Sequence, residues 1–157
     1  MVVGIGTDIV TKTELRPEWL KPEDPFCHAT FTAREQREGA ERRDRHSYFC
    51  GRFAAKEAVF KTLGLPTDTR LPLREIEILG GDLSAPAVRL HASAAEAARR
   101  RGIRSILLTL THNADYAVAF ALAQGDRTAM RRNYGKPDSG TDSEGGSEPQ
   151  AGGAARM

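Results

Sequence analysis

Two runs of period-two alternation, "SILLTLTH" (Ser105–His112) and "YAVAFALA" (Tyr116–Ala123), lie three residues apart in this chain. Alternation of this kind marks strands with one buried face. A connection as short as "NAD" leaves only an antiparallel hairpin. The longest helical signal lies earlier, in "GRFAAKEAVFKTLGL" (Gly51–Leu65), stopped by Gly64 and Pro66. A strand is expected at the N-terminus ("VVGIGTDIV"), further strands in "LREIEIL" and "APAVRLHA", and a helix in "SAAEAARRRG" capped by Ser93 with Glu96 at its third position. "FTAREQREGAERRDRHSYF" predicts a helix interrupted near Gly39, opened by a Thr32–Glu35 capping box, with Glu38–Arg42 and Glu41–Arg45 at i,i+4 spacing. The preceding "TKTELRPEWLKPEDPF" holds Pro17, Pro22 and Pro25, so any helix there is short or broken. The order strand, helices, strands, helix, hairpin predicts one α+β domain, a small, largely antiparallel sheet packed against a central helix.

Composition sets the limits of that domain. From Gly125 the sequence has one aromatic residue, Tyr134, and no apolar periodicity, so residues 1–124 are expected to form the domain and 125–157 a disordered tail. A net charge of +2 among 157 residues does not suggest a nucleic-acid or membrane partner, and no apolar run is long enough for a membrane span. The basic stretch Arg34–His46 is interleaved with acids and contains no aromatic to stack on bases. Cys27 and Cys50 form neither a C-x-x-C pair nor a zinc spacing, and with no signal peptide evident a reducing cytoplasm is the expected compartment.

The chemistry-bearing residues are few. In "VVGIGTDIV", Gly4, Gly6 and Asp8 share one strand face, so a single carboxylate stands at the edge of a bare surface, where a ligand or another backbone can approach. On the central helix, Phe53 and Phe60 define an apolar stripe; Glu57 borders it, with Lys61 one turn on and Lys56 on the opposite flank. Glu57 and Lys61 alone amount to an ordinary surface pair worth a few tenths of a kcal/mol. Brought near Asp8, Glu57 would share a hard divalent cation, which favours one or two carboxylates plus waters and phosphates. Lys61 would then meet a phosphate. Spacing alone leaves open whether residues 8 and 57 meet. His112 shares a face with Leu108 and Leu110 and reads equally as a strand-end histidine, while the "THN" turn offers groups suited to a phosphate or ribose. "GIGTDI" lacks the third glycine of a dinucleotide fingerprint, and no P-loop, H-E-x-x-H or G-x-S-x-G is present.

Taken in order, "GIGTDIV", "FTAREQ", "GRFAAKEAVFKTLG" and "LTLTHNADYAVAFAL" resemble the holo-acyl-carrier-protein synthase group of phosphopantetheinyl transferases, from Val3 to about Ala123. The resemblance implies transfer of 4'-phosphopantetheine from coenzyme A to a serine of an apo acyl carrier protein or carrier domain, with release of adenosine 3',5'-bisphosphate. It implies magnesium held by Asp8 and Glu57, with the glycines leaving room for the pyrophosphate, and catalytic roles for Asp8, Glu57 and Lys61. Coenzyme A is expected to be met by Arg52, Lys61, Thr111, His112 and Asn113, and Glu35 is a candidate assistant to the base. It further implies a homotrimer with active sites between subunits. Three departures stand out: Thr111-His112-Asn113 in place of S-H-T, the prolines and acids that break and dilute a usually basic helix after the first strand, and "LGLPTDT" in place of a more glycine-rich turn. The second suggests a carrier outside ordinary fatty-acid synthesis, such as a polyketide or peptide-synthetase carrier. The alternatives are a non-catalytic coenzyme A or nucleotide-binding module and a magnesium-dependent phosphohydrolase.

Overall fold

A computed structural model describes residues 1–66, 68–81 and 84–126. The elements run β1 (Val2–Thr11), a 3-10 turn (Pro17–Leu20), α1 (Pro25–Thr30), α2 (Ala33–Ala40), α3 (Arg45–Thr62), a second 3-10 turn (Leu73–Glu75), β2 (Ile76–Leu79), β3 (Ala87–Leu90), α4 (Ala92–Arg100), β4 (Ile103–His112) and β5 (Tyr116–Gly125). The strands form one sheet in the order β1-β5-β4-β3-β2, with every neighbouring pair antiparallel. The α+β class and the hairpin are therefore as expected. β5 runs to Gly125, one residue past the expected domain end, and the expected tail from 127 onward lies outside the described residues.

α3 lies across β1 and β5 and builds the core with them. Its buried face is made of small residues: Cys50, Ala54, Ala55, Ala58 and Val59, joined by Phe49 at one end. This differs from the expected Phe53–Phe60 stripe, because both of those rings are only partly buried and flank Glu57 instead. The small face lets the helix sit very close to the sheet. A Cβ on Gly6 would come within 2.0 Å of the Ala58 carbonyl oxygen, and one on Gly4 within 2.4 Å of that of Thr62. The two glycines of the first strand thus leave room for the backbone of α3, not for a pyrophosphate.

Local signals explain most element ends. Thr32 and Glu35 close the capping box of α2 as expected, and Gly64, at φ +58°, follows α3 in a conformation side chains disfavour. Glu41 and Arg45 do not form a helical pair: α2 ends at Ala40, α3 begins at Arg45, and Arg45 reaches back to the Leu20 carbonyl. Glu38 bonds Arg34 at 3.0 Å and accepts from the Tyr48 hydroxyl at 3.2 Å. Ser93 does not cap α4. His91 occupies the cap position, and the Glu75 carboxylate accepts from both the Ser93 hydroxyl and the Ala94 N–H. That tertiary acceptor supplies what the local sequence does not.

The outer face of the sheet is apolar and uncovered. Ile5 and Ile9 are 64% and 61% exposed, and Leu107, Tyr116 and Phe120 are also exposed. Register places Ile5, Leu122 and Leu107 in one row and Thr7, Phe120 and Thr109 in the next. Cys27 and Cys50 are buried free thiols, with Cys50 pushed up to about 11 by burial. Among the described residues no helix is long and apolar enough to cross a membrane.

Candidate active site

Asp8 and Glu57 line one cavity of about 300 Å³, together with Leu15, Trp19, Phe26 and Phe53. The close approach of α3 to β1 is what joins them, since it sets the Glu57 turn of the helix against the end of the strand. Burial raises the proton affinity of Glu57, the nearby charge of Asp8 raises it further, and Lys61 acts in the opposite sense. Lys61 does not pair along the helix with Glu57. Its ammonium donates to Asp8 Oδ1 and to the Thr7 carbonyl, both at 2.8 Å. A second cavity of about 460 Å³, bounded by Phe60, Arg70, Leu71, Pro72 and Leu73, opens on the other side of Glu57.

Three carboxylates line this cavity; Glu14 accepts from the Thr11 N–H at 2.7 Å, and Asp8 and Glu57, with a cation already drawn to Asp8, suit a hard divalent ion that takes its remaining ligands from water and phosphate. Among the described residues there is no group of three or more His, Cys, Asp or Glu that could hold a metal without such help.

Arg52 and His112 meet in a different cavity of about 310 Å³, with Arg42, Arg43, Tyr48 and Gly81. Arg52 is buried. It donates to the Gly80 carbonyl, lies 4.6 Å above the Tyr48 ring, and its Nε has no hydrogen-bond partner. Asp44 also lines this cavity and Glu38 Oε2 lies 3.9 Å from the Arg52 guanidinium, but three arginines and a histidine leave it basic, which fits an anionic group such as a phosphate. Arg42, Arg43, Tyr48 and Gly81 are not among the residues expected from the sequence. In the sequence the arginines look like part of a solvated charged run, and only the fold of α2 onto α3 turns them toward His112.

Thr111 and Asn113 do not join this cavity. Thr111 pairs with Val118, which pairs with Ile9, and so belongs to the outer face of the sheet, opposite Leu110 and His112. The Asn113 side-chain oxygen accepts from the Asp115 and Tyr116 N–H groups at 2.8 Å and holds the hairpin turn. Glu35 is no assistant base. It is wholly buried and receives Lys56 Nζ at 2.8 Å, the Thr32 N–H at 2.8 Å and the Ile78 N–H at 3.0 Å. Lys56, expected on the flank of the stripe opposite Glu57, is likewise wholly buried and also donates to the Leu73 and Ile76 carbonyls. Burial lowers its pKa while Glu35 opposes that shift.

Arg52 and Glu57 are five residues apart on α3, which places them about 7.5 Å apart along the axis and about 140° apart around it. The body of the helix stands between the two cavities, and they share no lining residue.

Comparison with known proteins gives the family of the chain. The sequence profile of the 4'-phosphopantetheinyl transferase superfamily matches residues 4–121. A holo-[acyl-carrier-protein] synthase of Desulforudis audaxviator is 39% identical over 132 residues, covering 84% of this chain and 100% of that protein. The crystal structure of the holo-[acyl-carrier-protein] synthase of Neisseria meningitidis superposes with a TM-score of 0.69 at 28% identity, covering 79% of this chain and 99% of that one. A complex of the Chronobacterium ammoniagenes synthase with CoA gives a TM-score of 0.67 at 28% identity, covering 79% of this chain and 98% of that one. With its carboxylate cavity, its basic cavity and these likenesses over nearly all its described residues, the chain belongs to the 4'-phosphopantetheinyl transferase superfamily and is an enzyme of that class.

Proposed function

We propose that this enzyme transfers 4'-phosphopantetheine from coenzyme A to a serine of an apo acyl carrier protein or carrier domain, with magnesium as cofactor and adenosine 3',5'-bisphosphate as product. The observation that carries this proposal is the joint presence of Asp8 and Glu57 in one cavity with Lys61 bonded to Asp8. The serine oxygen forms a bond to the β-phosphorus, the bond from that phosphorus to the bridging oxygen breaks, and the nucleotide phosphate leaves with the electron pair. Asp8 and Glu57 would hold the magnesium ion, which would supply positive charge against the diphosphate. Lys61 places a second positive charge where the leaving phosphate becomes more negative. A base at this cavity takes the serine proton. Arg52, Arg42, Arg43 and His112 bind the phosphorylated nucleotide end.

The same proposal includes a cytoplasmic homotrimer whose sites lie between subunits. Two features support it: the exposed apolar face around Ile5, Leu107 and Phe120, and the helix body that separates each chain's basic cavity from its own carboxylates. A basic cavity of one copy completing the carboxylate cavity of another removes that separation.

Incubation of the protein with coenzyme A, magnesium and an apo carrier tests the proposal by mass spectrometry. The carrier gains the mass of phosphopantetheine. A binding module would leave it unchanged, and a phosphohydrolase would consume coenzyme A without modifying it. Asp8→Ala and Glu57→Ala each lower turnover by orders of magnitude in a protein that remains folded; near-normal rates with magnesium in either variant would refute the metal assignment.

A further inference from the structure

The basic cavity depends on how one guanidinium is held. Arg52 carries a long side chain, which loses much rotamer freedom when it is fixed. It donates to the Gly80 carbonyl, and its guanidinium lies 4.6 Å from the centre of the Tyr48 ring. The Arg42 guanidinium lies 5.4 Å from the same centre. The ring therefore attracts two cations of the cavity, and the attraction is stronger for a desolvated cation such as the buried Arg52.

Cations alone do not make an anion site if an acid closes on them. Asp44, which lines the cavity, is occupied: it accepts from the Ser47 N–H at 2.9 Å and from the Ser47 hydroxyl, and Lys12 lies 3.5 Å away. Glu38 is brought close by Gly39, where α2 rests on two rings of α3. A Cβ on Gly39 would come within 2.5 Å of Phe49 and 3.0 Å of Tyr48. From there Glu38 Oε2 lies 3.9 Å from Arg52 Nη2, and a movement of about 1 Å would close a full ion pair. Both Glu38 oxygens are engaged elsewhere. Oε1 accepts from Arg34 at 3.0 Å, and Oε2 accepts from the Tyr48 hydroxyl at 3.2 Å. Burial, opposed by Arg52, pushes the Tyr48 hydroxyl up to about 12, so it stays a donor at neutral pH.

We infer that Tyr48 is a positioning residue for phosphate recognition: its ring holds the Arg52 guanidinium at the cavity, and its hydroxyl holds the Glu38 carboxylate back from it. The group that gains is the phosphate monoester on the ribose of the nucleotide, since an Arg52 already paired with Glu38 has little charge left to offer it. The inference rests on the proposed assignment of this cavity to the phosphorylated nucleotide end.

Tyr48→Phe tests it, because the variant keeps the ring and its packing and removes only the hydroxyl. The full-length protein is titrated calorimetrically, without magnesium, with adenosine 3',5'-bisphosphate and with adenosine 5'-monophosphate. In the parent protein the bisphosphate is expected to bind at least about tenfold more tightly. Tyr48→Phe weakens the bisphosphate about tenfold and leaves the monophosphate within about twofold. Adding Glu38→Gln to Tyr48→Phe restores bisphosphate affinity to within about threefold of the parent, because the competing charge is gone. Glu38→Gln alone shifts that affinity less than about threefold, since the carboxylate is already held. In the carrier assay Tyr48→Phe raises the KM for coenzyme A about tenfold and leaves the KM for carrier within about twofold. Unchanged bisphosphate affinity in Tyr48→Phe, an equal loss for both nucleotides, or no recovery on adding Glu38→Gln overturns the inference while the transferase proposal stands. A parent protein that binds the two nucleotides equally overturns the assignment of the cavity and the inference with it. Failure of the parent protein to modify any carrier, with nucleotide discrimination intact, refutes the transferase proposal alone.

Discussion

Gly6→Ala separates two roles for the glycines before Asp8. If they make room for substrate, an added methyl hinders coenzyme A and leaves the fold intact. The structure assigns them to the contact between β1 and α3. The new Cβ would stand 2.0 Å from the Ala58 carbonyl oxygen and 2.9 Å from the Lys61 Cβ, where 3.0 Å is the practical minimum. The helix must therefore move off the strand by roughly 1 Å, a strain that overpacked cores meet at a cost of about 1–3 kcal/mol. In a domain of this size that lowers Tm by roughly 4–15 °C. The same movement carries Glu57 and Lys61 away from Asp8, and a misplacement of about 1 Å is enough to reduce turnover on the order of 10²-fold. Differential scanning calorimetry and the carrier mass assay measure the two effects on one preparation. A variant with unchanged Tm and unchanged kcat, altered only in its KM for coenzyme A, would return the glycines to the ligand and refute the packing account.

Other expectations follow from the buried and exposed charges. Lys56→Met leaves the Glu35 carboxylate buried without its cation and costs about 3–5 kcal/mol, while Lys56→Met with Glu35→Gln costs clearly less than the sum of the singles; additivity within about 0.5 kcal/mol by denaturant titration would show that the pair is not coupled. Asp44 caps α3 through the Ser47 N–H at 2.9 Å, and its bonds to Ser47 lower its pKa from 3.8 to about 2. The folded chain thus keeps this carboxylate charged to lower pH than the unfolded chain does, so its contribution is full above about pH 4 and is lost as pH falls toward 2. Asp44→Ala accordingly lowers stability by about 1 kcal/mol at neutral pH and has little effect near pH 2, and an equal loss at both would contradict the capping role. If the proposed trimer forms through the exposed sheet face, Phe120→Glu, which puts a charge there, gives a monomer in analytical ultracentrifugation where the parent protein gives a trimer, with loss of transfer; an active monomeric variant would rule out sites shared between subunits.

The sequence by itself determined the element order, the hairpin, the α2 capping box and the stop of α3, because each depends on neighbours within a few residues. It also marked Asp8, Glu57, Lys61, Arg52 and His112 through motifs whose order along the chain resembles a known family. Tertiary structure decided what those residues do to one another. Lys61 crosses to Asp8 instead of pairing with Glu57, Lys56 and Glu35 form a buried pair, and Thr111 turns to the outer face by the parity of its strand. Arg42 and Arg43 join His112 only because the chain folds back between α2 and α3. Periodicity reports which face a side chain occupies, but not which distant backbone covers that face. The glycines of β1 show the difference: their bareness is written in the sequence, and the helix that fills it, by an approach of a few ångströms, is not.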